Sequence, residues 1–214
     1  ARLAKLLQDC EIGAEHRSIA GSLAEGSNSA IIVGVEALAN PQLALLQELC
    51  EAITQSADAT LGYLSESANS AGACLAGVLP HRGPAGIALD SAGEHAADIL
   101  SASHKLLLTF ALNPLLDSHE NGRLADNNES IIAISSFDNE FIRQQATLVL
   151  PLASVLESSG SFVNVEGLWQ SFKGCVQYRG DSRQGWKILV ALGQVLRPGE
   201  FDYADSLAVR NELK

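Results

Sequence analysis

The sequence predicts an α/β protein built on a doubly wound, mostly parallel sheet with helices on both faces. Three observations lead there. Short apolar runs bounded by turn residues recur along the chain, at Ala30-Ile31-Ile32-Val33, Lys105 to Phe110, Ser130 to Ile134 and Leu148-Val149-Leu150. Such runs suit strands covered on both faces, as in parallel sheets. Between them lie segments with apolar residues at helical spacing, and strand–helix alternation at short intervals is the pattern of parallel crossovers. The composition, 47% hydrophobic but only 5% aromatic, favours helices packed closely on a sheet over an aromatic-rich sandwich. A chain of 214 residues buries roughly 70% of its unfolded surface and needs no metal or disulfide to hold a core. The expected division is a Rossmann-like body over residues 1–150 and a C-terminal extension, 151–214, packing on it.

The elements follow in order. Leu3, Leu6, Leu7, Ile19 and Leu23 predict one or two amphipathic helices before Glu25. Ala30 to Gly34 is the first strand, and its single glycine lacks the rest of a dinucleotide fingerprint. From Asn40-Pro41, a helix carries Leu43, Leu46, Leu49, Cys50 and Ile53 on one stripe, with Pro41 in its first turn. Ala59 to Leu64 is the second strand. Asp90 or Ser91 caps a helix reaching Leu100, and Lys105 to Phe110 is the third strand, leading to Asn113-Pro114. Ser130 to Ile134, a helix over Phe137 to Gln144, and an interior strand at Leu148 to Leu150 ended by Pro151 complete the predicted sheet. Trp186, Ile188, Leu189, Leu192 and Val195 predict a terminal amphipathic helix.

Charge and cysteines exclude several functions. A net charge of -11 and the lack of a basic stripe argue against nucleic acid, whose binding rests on neutralised phosphates. Cys10, Cys50, Cys74 and Cys175 show no pair at ligand spacing, so no zinc or iron–sulfur motif is present and buried, reduced thiols are expected. No apolar run reaches membrane-spanning length, which predicts no direct membrane insertion. The histidines are scattered, and no Ser/His/Asp order stands out. His81 is expected to donate to a backbone carbonyl or a carboxylate. The chain contains no methionine and opens on alanine, so a piece of a longer polypeptide is expected.

Three separated motifs carry a specific resemblance. Leu150-Pro151, Glu157, Gly160-Ser161-Phe162, Asn164, Glu166-Gly167 and Gln170 follow the strand-and-loop pattern of the molybdopterin-dependent oxidoreductases and of their relative, the large iron–sulfur G subunit of bacterial NADH:quinone oxidoreductase (respiratory complex I). Ala68-Asn69, Gly72-Ala73, Ala76-Gly77 and Pro80-His81-Arg82 resemble the G subunit specifically. Ser171-Phe172-Lys173-Gly174 and the segment from Gly180 to Leu189 resemble its ending. Where the family has an arginine, this chain has Leu168, and a leucine cannot hold a pyrophosphate bidentately. In the turn before Asn113, where the family brings a glycine against the cofactor, stand Ala111 and Leu112.

The resemblance implies a fold like the domains of formate dehydrogenase and DMSO reductase. It also implies a subunit of the peripheral arm of complex I on the cytoplasmic face of the bacterial inner membrane, whose holoenzyme passes electrons from NADH to quinone. Iron–sulfur clusters would lie elsewhere in the full subunit, and no cofactor is expected in this piece. It would be a structural module packing against the N-terminal iron–sulfur region and other peripheral-arm subunits. Asn69, Asn113, Asn164, Gly167 and Gln170 are the candidates for a remnant pterin site. The alternatives are a catalytic molybdopterin enzyme such as a formate dehydrogenase, with Asn69, Asn113, Asn164 and Gln170 in its pocket, and a free-standing nucleotide-binding module.

Overall fold

The computed structural model describes residues 10–38, 40–117 and 128–213. The helix positions Leu3, Leu6 and Leu7, and His119, lie outside them. Contacts group the chain into two compact units, one comprising residues up to Ala71 with Asn164–Leu168, the other Gly72–Val163 with Trp169 onward.

In the first unit, strand β1 (Ala30–Val33) and strand β2 (Thr60–Tyr63) run parallel, Ala30 opposite Thr60 and Val33 opposite Tyr63. Helix α1 (Ala14–Glu25) precedes them, and α2 (Val35–Leu38) and α3 (Leu43–Ala57) make the crossover. The α3 stripe was legible, but the helix starts at Leu43, with Pro41 in the turn before it. Asn40 explains the offset: its Oδ1 accepts the Gln42 amide at 2.8 Å, fixing a local turn that competes with helix. The helix stops at Asp58, which is left-handed at φ 51° while the Ala59 amide donates back to the Thr54 carbonyl at 3.0 Å.

The second unit is built around a parallel three-stranded sheet in the order β3 (Leu107–Phe110), β4 (Ile131–Ser135), β5 (Leu148–Pro151). Before the sheet come α4 (Ser70–Leu75), a 3-10 turn at Pro84–Gly86 and α5 (Ala96–Ser101). Helices α6 (Pro114–Asp117) and α7 (Glu140–Gln145) fill its connections. Leu107, Ile131 and Ala133 on one sheet face are buried with Phe141 and Ile142 of α7, and Ile99, Leu100 and Ala146 pack on that cluster. The central strand β4 is the most covered, with Ile134 and Ala133 at 0% and 1% exposure.

Here the structure corrects the expectation for Leu148 to Leu150. That strand is at the sheet's edge, and Leu148 and Val149 are exposed. Pro151 does not end the ladder either. It pairs with Ser135, and its carbonyl and the Ala153 amide bond Arg183 at 3.0 and 2.8 Å. Proline is tolerated on an edge strand because no donor is needed on the open side. The α5 cap is also corrected, since His95 Nδ1, not Asp90 or Ser91, accepts the Asp98 amide at 3.3 Å.

Past β5, a 3-10 turn (Val155–Glu157) leads to an antiparallel hairpin of β6 (Gly160–Val163) and β7 (Trp169–Phe172), then α8 (Gly185–Leu196) and α9 (Ser206–Glu212). Strands β6 and β7 were not expected, because glycine and serine interrupt their apolar residues. Glu157 Oε2 accepts the Ser154 amide at 2.8 Å, and that bond, with the Ser154 side chain, holds the carboxyl below its ordinary range. A carboxylate with a depressed pKa contributes stability that is present above the unfolded value of 4.5 and lost as pH falls through the folded one. Glu157→Gln is therefore expected to lower the neutral plateau of a thermal-stability profile and so flatten its acid limb below about pH 4.5, while Ser154→Ala, which keeps the backbone donor, leaves more of the limb in place.

Candidate functional site

Ligands of open α/β sheets sit beyond the carboxyl ends of the strands, and the second unit has a cleft of about 320 Å³ there. It is lined by Ala111, Leu112, Asn113, Leu116 and Asp117 after β3, and by Ser135, Ser136, Phe137 and Asn139 after β4. Leu116 and Phe137 stand at its mouth, 81% and 78% exposed.

The turn after β3 carries the site's central feature. Ala111 is left-handed, with φ 50°, while its amide donates to the Ile134 carbonyl at 2.8 Å. The backbone thus takes the conformation a glycine would adopt, with an alanine in it. A left-handed alanine costs roughly 1–2 kcal/mol, of which glycine's larger unfolded entropy would return part. Ala111→Gly is expected to stabilise the chain by about 0.5–1 kcal/mol, read as a small rise in the urea midpoint at constant slope.

Asn113 then starts α6, its carbonyl accepting the amides of Leu116 and Asp117 at 2.9 and 2.8 Å. The Asn113 amide donates to Asp117 Oδ2 at 2.7 Å. An exposed backbone amide at such a turn is what a phosphate oxygen would use; here the chain's own carboxylate takes it. Among the described lining residues Asp117 is the single charged group. A pyrophosphate-bearing pterin placed here would face a carboxylate and no described cation, so these residues do not fit that group.

The other candidate residues are placed as follows. Asn164 and Gly167 share the tip of the β6–β7 hairpin. Asn164 Oδ1 accepts the amides of Glu166 and Leu168 at 3.1 and 2.9 Å, and the Gly167 amide donates to the Asn164 carbonyl at 2.9 Å. Gly167 has φ 80° with open space around it, so its glycine answers a conformational need of the turn. Both residues are engaged in making that turn, and Leu168 beside them is 55% exposed. Gln170 lies on β7 opposite Phe162 and does not line the carboxyl-edge cleft. Asn69 lies in the turn before α4, in the first unit with Asn164 and Gly167.

Two further expectations are corrected. His81 is exposed, and its side chain has no hydrogen bond among the described residues. The segment's order comes from its backbone instead. The Gly83 amide meets the Ile87 carbonyl at 2.8 Å and the Gly93 amide meets Pro80 at 2.7 Å. The thiols are not buried: Cys10, Cys74 and Cys175 are exposed and Cys50 is half-buried, all reduced. Among the described residues no group of three metal-ligating side chains converges, and no helix is long and apolar enough to cross a membrane.

Two NADH-ubiquinone oxidoreductase subunits are similar to part of the chain. The NADH-ubiquinone oxidoreductase 75 kDa subunit of Reclinomonas americana is 31% identical over 74 residues, 35% of this chain and 11% of that protein. The 78 kDa subunit of Candida albicans is 35% identical over 68 residues, 32% of this chain and 9% of that protein. Each match thus spans about a tenth of the relative's length. The model of the molybdopterin oxidoreductase family matches residues 7–195. With parallel strands, intervening helices and a cleft at the carboxyl edge of its sheet, the chain belongs to the molybdopterin oxidoreductase family.

Proposed function

We propose that the chain is a piece of the large iron–sulfur subunit of a complex-I-type NADH:quinone oxidoreductase, serving there as a structural module that holds no pterin. The observation that carries this reading is the Asp117 carboxylate on the Asn113 amide, in a cleft whose described lining offers no cation. Replacing a phosphate by an internal carboxylate keeps the turn's donor satisfied without a ligand. The similarity to the 75 and 78 kDa subunits of NADH-ubiquinone oxidoreductase supports the assignment to complex I over a free-standing oxidoreductase. In this reading the body is doubly wound with helices on both faces, residues 1–150 forming the Rossmann-like part and 151–214 the extension on it. It packs against the subunit's own iron–sulfur region and other peripheral-arm subunits, on the cytoplasmic face of the bacterial inner membrane. The whole complex, not this module, carries the NADH-to-quinone activity.

The test is elemental and pterin analysis of the full-length subunit, purified from cells supplied with molybdate and tungstate. Molybdenum, tungsten and the fluorescent oxidation product of pterin are expected at background, with iron present. Metal and pterin together at one per chain would establish a catalytic molybdopterin enzyme instead.

A further inference from the structure

A second cleft, of about 480 Å³, lies between the β6–β7 hairpin and the start of α9, lined by Ser159, Ser161, Ser171, Lys173, Asp205 and Ser206 among others. It shares no residue with the carboxyl-edge cleft. Behind it sits Arg210 of α9, whose Nη1 donates to Ser171 Oγ at 2.7 Å and whose Nη2, among the described residues, meets Asn211 Oδ1 alone, at 3.5 Å. Among the described residues its buried Nε has no hydrogen-bond partner and no carboxylate pairs with the guanidinium. A partly buried cation with neutral partners alone lacks the counter-charge that such groups normally have.

The hydroxyls extend this deficit toward the opening. Ser171 Oγ and Ser161 Oγ stand 2.8 Å apart across the hairpin. Arginine only donates and each hydroxyl has one proton. Once Ser171 accepts from Arg210, one proton spans the serine pair and the other has no acceptor among the described residues. The chain Arg210–Ser171–Ser161 is therefore polarised as a donor. Lys173, exposed on the same lining, adds an ammonium without a carboxylate partner among the described residues. Asp205, the one acid among the described lining residues, already accepts the Ala208 amide through Oδ1 at 2.8 Å. In a chain of net charge -11, Lys173 on this lining and Arg210 behind it, joined through Ser171, bring two cations to an unspent hydroxyl donor.

We propose that this cleft is an oxyanion site, taking a carboxylate or phosphate group between Lys173 and the Ser161–Ser171–Arg210 chain. The proposal stands apart from the reading of the pterin cleft. Its test follows the Arg210 Nε–H cross-peak by NMR in the 214-residue chain, titrated in one arm with inorganic phosphate and in the other with an acetylated Glu-Glu-Glu peptide. Saturable shifts of that peak are expected. The stronger arm identifies the source, a free anion if phosphate wins and an acidic segment of a partner protein if the peptide does.

Arg210→Gln, followed through the Ser161 and Ser171 amides, is expected to weaken binding about tenfold or more, the loss of one charge-assisted bond. Lys173→Gln, an exposed change that leaves folding alone, should weaken it several-fold. Arg197→Gln, which removes a surface cation paired with Glu200, should change nothing. Unsaturable shifts in both arms, or equal weakening by Arg197→Gln and Lys173→Gln, would overturn the site as general charge screening.

Discussion

Replacing Gly77 by alanine is expected to destabilise the chain by about 3–5 kcal/mol, at the upper end for single substitutions. Two effects add. Gly77 is left-handed, with φ 83°, which costs an alanine roughly 1–2 kcal/mol by itself. A Cβ there would also lie 2.6 Å from the Gly83 carbonyl carbon and 2.7 Å from the Pro84 nitrogen. Those are backbone atoms, so no rotamer change relieves the clash, and the Pro80-His81-Arg82-Gly83-Pro84 segment must move as a whole. Gly86→Ala separates the two effects, since Gly86 is left-handed at φ 75° with open space around it. It should lose only the conformational part, about 1–2 kcal/mol. Urea unfolding of both variants checks this, and equal losses would mean the close approach of Gly77 to Gly83–Pro84 contributes nothing.

The same position shows what the sequence could and could not convey. Ala76-Gly77 and Pro80-His81-Arg82 were conspicuous as a motif, and small residues in tight backbone packing were the right physical reason. The histidine was the misleading part, because residue type announces chemistry even where the loop's order comes from glycine and backbone hydrogen bonds. Strands rich in aliphatic residues were readable: β1 to β5 fall where the apolar runs are, because a run such as Ile131-Ile132-Ala133-Ile134 has few other ways to be buried. The edge position of β5 was not readable, since an apolar run does not record how many neighbours pair with it. The hairpin was missed for the opposite reason. Gly160-Ser161-Phe162-Val163 and Trp169-Gln170-Ser171-Phe172 mix strand formers with glycine and serine and show no clean apolar/polar alternation, and their pairing is fixed by the Asn164–Leu168 turn and by the Phe162–Phe172 ring contact, centroids 4.9 Å apart.

The carboxyl-edge cleft was half legible. Asn113 and the Ala111-Leu112 pair, singled out from the sequence, lie in the turn that lines it, and the absence of glycine there was visible. What no linear reading supplies is that Ala111 keeps the left-handed geometry anyway, or that Asp117, four residues on, returns to the Asn113 amide. That contact closes the turn from Asn113 to Asp117, which Pro114 at the first helical position can begin but does not dictate. The oxyanion cleft was invisible for a related reason: Arg210 reaches Ser171 across 39 positions of sequence.

The core offers the second large effect. Phe141→Ala is expected to lose about 3–5 kcal/mol, the usual range for removing a buried aromatic side chain, and to lower the melting temperature by about 10 °C. Phe141 is 3% exposed and belongs to the cluster of Leu107, Ile131, Ala133 and Ile142 that joins α7 to the sheet. Phe137, four residues earlier, lay in the same expected helix, and at that spacing both rings would have shared one helical face. The structure separates them. Asn139 Oδ1 accepts the Ile142 amide at 3.0 Å, which caps the helix and starts it at Glu140. Phe137 is thereby left in the turn before it, 78% exposed. Phe137→Ala should therefore stay within about 0.5 kcal/mol of the parent. Asn139→Ala, which removes the cap, should lose about 1 kcal/mol. Denaturation of the three variants orders them Phe141, Asn139, Phe137; a Phe137 loss as large as that of Phe141 would place its ring in the core and return α7 to the longer helix that the apolar spacing suggested.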